Sequence, residues 1–488
     1  MWEENLDPLD WEQYRALAHR TLDDMVEHVM TIRDKPAWTE MPESSRRALD
    51  TNVPWLGEGL EAVYEEFQRH VEPYGIGNPH PRFWGWVPGS GTTGGIVAEI
   101  VKAGLNTVPA AFDEFGRFLE QQVVSWMLEA FGMPAEGSGI LVSGGSVANF
   151  VGLAAARDAQ VGFDVRQEGM LGAAGPVAIY ASTATHNSVD KAAQLLGLGR
   201  TSIRHISVDD DYRIRLDELR EAIRADRWSG VRPLIVVGNA ASVNTGSIDD
   251  LDALADIAAD EGMWMHVDGA FGAIAALSPE LRPLLRGMER ADSLAFDFHK
   301  WMHVQYQVGC TLVRSEHELV RPFDVSASYL SAIDRGPGAQ PKPSFRYGPE
   351  LSREAKSLKV WMSIREHGLN KFGRMAEQNV EQARYLGEVI DAEPRLELVA
   401  PIGLNIVCLR YLPDRGCPMS DEELNALNTE ILMRLQEQGT AVPSHTMLKG
   451  RFAIRICFTS HRTRRDDIDL TVREILRLGG ELESERAA

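Results

Sequence analysis

Cysteine is scarce: the 488 residues hold four, Cys310, Cys408, Cys417 and Cys457, and no two stand in a CxxC pair. A disulfide framework and a zinc knuckle are therefore excluded as organising devices, and no metal site is expected. Basic excess is lacking as well. Fifty Lys and Arg stand against 71 Asp and Glu, a formal net charge of −21. That balance disfavours a broad basic face for nucleic acid or an anionic membrane, though a small anionic ligand in a local pocket stays compatible with it. No apolar run approaches the ~18 residues of a membrane-spanning helix. The acidic start MWEENLDPLDWEQYRALAHR lacks the basic and apolar regions of a signal peptide, so the expected compartment is the cytoplasm. Internal repeats and low-complexity tracts are missing too.

What remains is ordinary globular composition, 44% apolar and 25% charged, able to bury a large core. At about 150 residues per domain the length suggests three units, but large α/β enzymes merge such units around one sheet. Residues 1–85 read as an N-terminal helical segment, with amphipathic helices in search of a partner surface over about 10–70 and then the start of the connector EPYGIGNPHPRFWGWVPGSGTTGG. Phe83, Trp84 and Trp86 in that connector read either as packing or as the wall of a pocket for an apolar or aromatic substrate. Over 86–365, short apolar runs (GILV, VAIYAS, SIRHIS, LIVVG, WMHVD, DSLAF, GCTLV) alternate with helical stretches. This predicts an α/β fold with a mostly parallel central sheet and helices on both faces. Residues 331–352 are rich in Gly and Pro, long for a connection inside a compact domain, and read as a functional loop. The last part, 366–488, alternates strands (LNIVCLRYL, RFAIRICF) with helices and predicts a small α+β domain.

Four segments can carry chemistry. SGGSVANF (143–150) follows a strand and opens a helix: Gly144 and Gly145 allow a tight turn, Ser146 can cap, and free N–H groups with the helix dipole can seat an anion such as phosphate. The same residues also make an ordinary turn. In HVDGAFG, Asp268 falls at a strand end, where parallel sheets place ligands, or else it caps the next turn. In DFHKWMH, Lys300 sits between Phe298 and Trp301 and either snorkels to solvent or, desolvated, forms a Schiff base. His186, in THNSVDKA, reads as a cap or as a ligand group. Together, a phosphate cradle, a histidine, a carboxylate and a lysine at successive strand ends match the needs of pyridoxal phosphate: donors for its phosphate, an amine for its aldehyde and an acid for its ring nitrogen.

The sequence resembles the fold-type I, group II pyridoxal-phosphate decarboxylases, which include aromatic-L-amino-acid, tyrosine, histidine and glutamate decarboxylases. The resemblance spans about residues 10 to 475. HVDGAFG resembles the family's HVDAA(Y/F), DFHKW its (N/D)xHKW, ELSREAKSLKVWMSIREHG its LGRRFRALKLW helix and HPRFWGWVP its (S/H)PxFxAYxP segment; the 32-residue step from Asp268 to Lys300 suits it. The resemblance implies that Lys300 takes the cofactor aldehyde, that Asp268 pairs with the ring nitrogen, and that His186 stacks on the ring and orients the substrate carboxylate. It further implies a phosphate site at Gly145 and Ser146 with Asp297 and His299 nearby, Ala270 under the ring, Ser242 beside the cofactor, and Trp86 and Pro88 lining the substrate site. Also implied is a homodimer, its N-terminal helices packed on the partner and its active sites at the interface.

The implied reaction is decarboxylation of an L-amino acid, with the aromatic connector favouring an aromatic one. Carbon dioxide leaves, the electrons pass into the ring, and a proton returns to Cα. A loop tyrosine is the family's usual donor for that proton. Counted back without gaps from KSLKVW, its place holds Ser344, with Phe345 adjacent; Tyr347 and Tyr329 are near but out of register. Some family members with phenylalanine there are aldehyde synthases, in which oxygen intercepts the intermediate. Retained His186 weighs against those synthases that have lost it. An aldolase-type carbon–carbon lyase and a non-catalytic cofactor-binding protein are the other readings.

Overall fold

The computed structural model describes residues 4–110, 112–173, 175–325, 334–340, 342–414 and 419–487. Its centre is a seven-stranded sheet made of β1 (Ser138–Val142), β2 (Val177–Ser182), β3 (Ile203–Ile206), β4 (Arg232–Asn239), β5 (Trp264–Asp268), β6 (Ser293–Asp297) and β7 (Gly309–Val313). The spatial order is β1-β7-β6-β5-β4-β2-β3. Neighbours from β3 to β6 run parallel, while β7 is antiparallel to both β6 and β1. Strands β5, β6 and β7 are buried along their whole length, as a sheet covered on both faces requires.

Successive side chains of a strand serve opposite faces. Val236 joins a core with Leu219, Leu254 and Met127, whereas Ile235 and Val237 join one with Val151, Ala155 and Val189. The second core is covered by helices Gly145–Val161 and Ser188–Leu195, the first by Phe115–Phe131, Leu216–Trp228 and Leu251–Glu261.

A smaller antiparallel sheet, β8 (Leu396–Leu398), β9 (Ile406–Tyr411), β10 (Ser444–Leu448) and β11 (Arg451–Cys457), has the order β10-β11-β9-β8. Helices Asp421–Glu437 and Arg465–Ala487 pack with it, the first held by a capping box between Ser420 and Glu423. The connector aromatics divide between the two expected roles. Trp84 is buried in this C-terminal core, its indole donating to Thr463 Oγ1 at 3.0 Å, while Trp86 faces a cavity. Helix Trp11–Met30, capped by Asp10, buries none of its residues against the chain. No described helix is long and apolar enough to cross a membrane.

Candidate active site

The carboxyl ends of β1, β2, β4, β5 and β6 lie on one side of the sheet, the side on which such sheets bind ligands. Two chambers of about 580 and 370 Å³ open there, sharing His186, Asp268, Ala270, His299, Lys300 and Tyr306. Trp86, Pro88 and Ser242 line the larger chamber only; Gly144, Gly145, Ser146 and Asp297 line the smaller. Every residue that the resemblance assigns to the cofactor or the substrate thus lines one or both of these chambers.

In the smaller chamber, helix Gly145–Val161 begins without a side-chain cap, Gly144 standing at the cap position. This corrects the expectation for Ser146, which lies inside the first turn rather than at the cap. The N–H groups of Val147 and Ala148 both donate to the Gly144 carbonyl at 2.9 Å, leaving those of Gly145 and Ser146 for an anion. Close approach explains the glycines. A Cβ on Gly145 would stand 2.8 Å from Asp297 Oδ2, and one on Gly309 would stand 2.5 Å from Asp297 Oδ1. Lys300 does not snorkel outward: its Nζ lies 3.1 Å from Asp297 Oδ2, while the flanking Phe298 and Trp301 are fully buried. Asp297 Oδ1 is buried with no partner among the described residues.

Behind the chambers runs a hydrogen-bonded chain whose sense can be worked out donor by donor. The Asn149 amide turns its N–H toward Asp268, so its Oδ1 accepts from His266 Nε2–H (2.9 Å); the neutral ring then accepts at Nδ1 from Ser293 (2.8 Å), whose Oγ accepts from the Trp264 indole (2.8 Å). The Asn149 amide then donates to Ser188 Oγ (2.8 Å) and to Asp268 Oδ2 (3.0 Å). Ser188 in turn donates to His186 Nδ1 (2.8 Å), whose Nε2–H is left for the cavity. Asp268 Oδ1 accepts the Ala270 N–H at 3.1 Å, so the carboxylate caps its turn and also faces the chamber. Burial lowers the pKa of His186, partly opposed by Asp268, which keeps the ring neutral. Ser242 is tied to Ser247 (2.8 Å) and Thr245 (3.1 Å), its hydroxyl shared within its own turn.

Sequence reasoning overlooked Asn149, Ser188, His266 and Tyr306. Asn149 carried a signal: it is a lone amide in the apolar helix stretch VANFVGLAAA. The loop alternatives are narrowed too. Ser344 is fully buried and donates to the Ala110 carbonyl (3.1 Å). Tyr347 is 3% exposed, lines neither chamber and donates to Glu316 Oε1 at 2.6 Å; burial and that bond push its pKa up to about 12. Tyr329 lies outside the described residues.

Burial pushes the pKa of fully buried His266 down to about 4, against an ordinary value of about 6.5. In this window the unfolded chain binds a proton that the folded chain refuses, so stability rises with pH and is lost as pH falls from about 6.5 to 4. The loss from this group reaches about 3 kcal/mol at the acid end. Thermal melts of the wild type should fall across that range, and His266→Gln should flatten the fall; an equal slope in the variant would remove His266 from this role.

The donor set fits pyridoxal phosphate. Free N–H groups at a helix start suit its phosphate, the buried carboxylate of Asp268 suits a protonated ring nitrogen, and Lys300 is the one amine lining the chambers among the described residues. Residues 42–412 match the family described as the pyridoxal-dependent decarboxylase conserved domain. The chain is 32% identical over 470 residues to an aromatic-L-amino-acid decarboxylase of Bacillus atrophaeus, covering 95% of each protein. It is 27% identical over 470 residues to a phenylacetaldehyde synthase of Arabidopsis thaliana, covering 92% of each. A crystal structure of Oryza sativa TDC with PLP and tryptamine superposes with a TM-score of 0.89 at 25% identity, covering 98% of this chain and 100% of that one. The chain therefore belongs to the pyridoxal-dependent decarboxylase family, and it is a carboxy-lyase that works with pyridoxal phosphate.

Proposed function

We propose that this enzyme decarboxylates an L-amino acid with an aromatic side chain, releasing the amine and carbon dioxide. The observation that carries this reading is the apolar part of the larger chamber's lining. Ile76, Phe83, Trp86, Val87 and Phe271 line it, and no charged side chain stands among them. An acidic substrate would lose its hydration there without gaining a cation, whereas an aromatic ring gains apolar contact.

In this reading Gly144, Gly145 and Ser146 hold the cofactor phosphate, Ala270 packs against its ring, and Ser242, Asp297 and His299 complete the lining. Lys300 would hold the cofactor through its amine. The bound cofactor supplies an electron sink for the pair left when the Cα–carboxylate bond breaks. Asp268, fixed by Asn149 and the Ala270 N–H, keeps a negative charge where that sink needs one. His186 presents its Nε2–H to the substrate carboxylate.

An oxidative outcome, giving aldehyde, ammonia and peroxide, is the second reading, and buried Ser344 in the register of the family's loop tyrosine favours it. An aerobic incubation of the holoenzyme with a panel of L-amino acids, scoring amine, aldehyde and peroxide by mass spectrometry and a peroxide assay, separates the two. Amine from aromatic members is expected. Aldehyde with equimolar peroxide would establish the second reading, and best turnover of an acidic or small aliphatic member would overturn the aromatic assignment.

The same proposal includes a homodimer. Trp11, Met30, Trp55, Leu56, Ile100 and Leu105 are more than half exposed, a load of apolar surface that calls for a partner. Sedimentation equilibrium should give twice the chain mass. A single-chain mass at micromolar concentration would dismiss the dimer.

A further inference from the structure

Tyr306 lines both chambers and is the one phenol that does so among the described residues. Its oxygen accepts the Gly89 N–H at 3.2 Å and donates to no acceptor among the described residues, so its own proton is uncommitted. Gly89 in turn is pressed against the lysine segment. A Cβ there would lie 2.0 Å from the His299 carbonyl oxygen and 2.5 Å from that of Lys300. The phenol oxygen is thereby held in fixed relation to the Lys300 backbone. The rest of the residue is anchored as well: its ring packs on His299 at 4.5 Å between centroids, and Lys359 Nζ donates to its carbonyl at 3.2 Å. The Gly89 carbonyl accepts from Asn78, another residue of the larger chamber.

From this placement we infer that Tyr306 is the acid that returns a proton to the substrate Cα after carbon dioxide has left. The inference deepens the decarboxylase reading above and rests on it. In the step, the phenol O–H bond breaks, the electron pair at Cα takes the proton into a new C–H bond, and the phenolate left behind is reprotonated by solvent water. Tyr306 is 51% exposed, and the partial burial of its ring raises its pKa above the ordinary value, so the group reaches the step carrying its proton at neutral pH while solvent can return it afterwards. The residues otherwise near the family's register are engaged elsewhere, Ser344 with main-chain carbonyls and Tyr347 with Glu316.

The test is Tyr306→Phe, which keeps the ring and removes one oxygen. In a single turnover of the holoenzyme, carbon dioxide release should keep its wild-type rate while amine formation slows by about 100-fold, the middle of the range for a positioned acid. A second readout is the label placed when the reaction runs in deuterium oxide. The wild-type amine should carry deuterium on one face of Cα, and the variant amine on both. Absorbance titration of the apo-protein should show unchanged cofactor affinity, which a merely structural tyrosine would not leave intact if its loss disturbed the site. Equal slowing of carbon dioxide and amine, or retained one-sided labelling, would overturn the assignment while leaving the decarboxylase standing. Aldehyde as the main wild-type product would also overturn it. Wild-type enzyme that releases no carbon dioxide from any L-amino acid would overturn both readings at once.

Discussion

Lys300→Ala is expected to give a folded protein that no longer retains its cofactor through dialysis and decarboxylates more slowly by roughly 10³-fold or more. No other amine lines either chamber among the described residues, so nothing on the chain can substitute. Lys359, whose Nζ also reaches the Tyr306 carbonyl, is held by Glu99 at 2.9 Å and has no exposed side-chain surface. The ion pair with Asp297 gives the lysine its direction: the carboxylate, 1% exposed, draws the amine across the smaller chamber rather than out to water. Removing Lys300 also strips a buried carboxylate of its cation, so the variant should melt below the wild type. Visible absorbance after dialysis and carbon dioxide release measure the two effects. A variant that stays yellow and turns over at the wild-type rate would reduce Lys300 to a packing residue and leave the proposed chemistry without its anchor.

Asp268→Asn is expected to lower kcat by about 10² to 10⁴-fold with KM nearly unchanged. The charge of Asp268 is proposed to matter when electrons arrive in the ring it faces, and an interaction realised only then appears in kcat. The side chain keeps its shape in the variant, but its hydrogen-bond arithmetic does not survive. Asp268 accepts at both oxygens, from Asn149 and from the Ala270 N–H. An amide offers one acceptor, so one of those buried donors loses its partner at a cost of about 1–3 kcal/mol. Steady-state kinetics and thermal melts of the apo-protein read the two consequences separately. A kcat within a few-fold of wild type would mean that the ring nitrogen takes its proton from elsewhere.

Much of this site was legible because its chemistry sits at strand ends, and strand ends are marked by apolar runs that stop. WMHVD ends on Asp268 and DSLAF leads into DFHK, so the lysine and the carboxylate could be assigned to one edge of a parallel sheet from spacing alone. The antiparallel insertion of β7 was invisible, because GCTLV is as apolar as its parallel neighbours and carries no mark of direction. Strand β10 was missed for the opposite reason: in SHTML alternate residues are buried and exposed, and its polar members hide the pattern. Asn149 and Ser188 escaped because their importance is relational. An amide in a helix says little until β5 brings His266 and Asp268 to its two ends. Ser146 was misread by two residues, since Gly144 takes the cap position that serine usually fills.

The chain from Trp264 to His186 has a further property. An indole nitrogen can give a proton into a hydrogen bond but cannot receive one. That fixes only its own bond to Ser293, whose hydroxyl can accept twice; the sense of the bonds beyond is set at the site end, where the Asn149 amide gives its N–H to Asp268 and so turns its oxygen to His266. Which nitrogen of His186 meets the cavity as a donor is decided beside the ring itself: the Ser188 N–H donates to its Nδ1 at 3.2 Å, so the active-site histidine arrives with its tautomer already chosen.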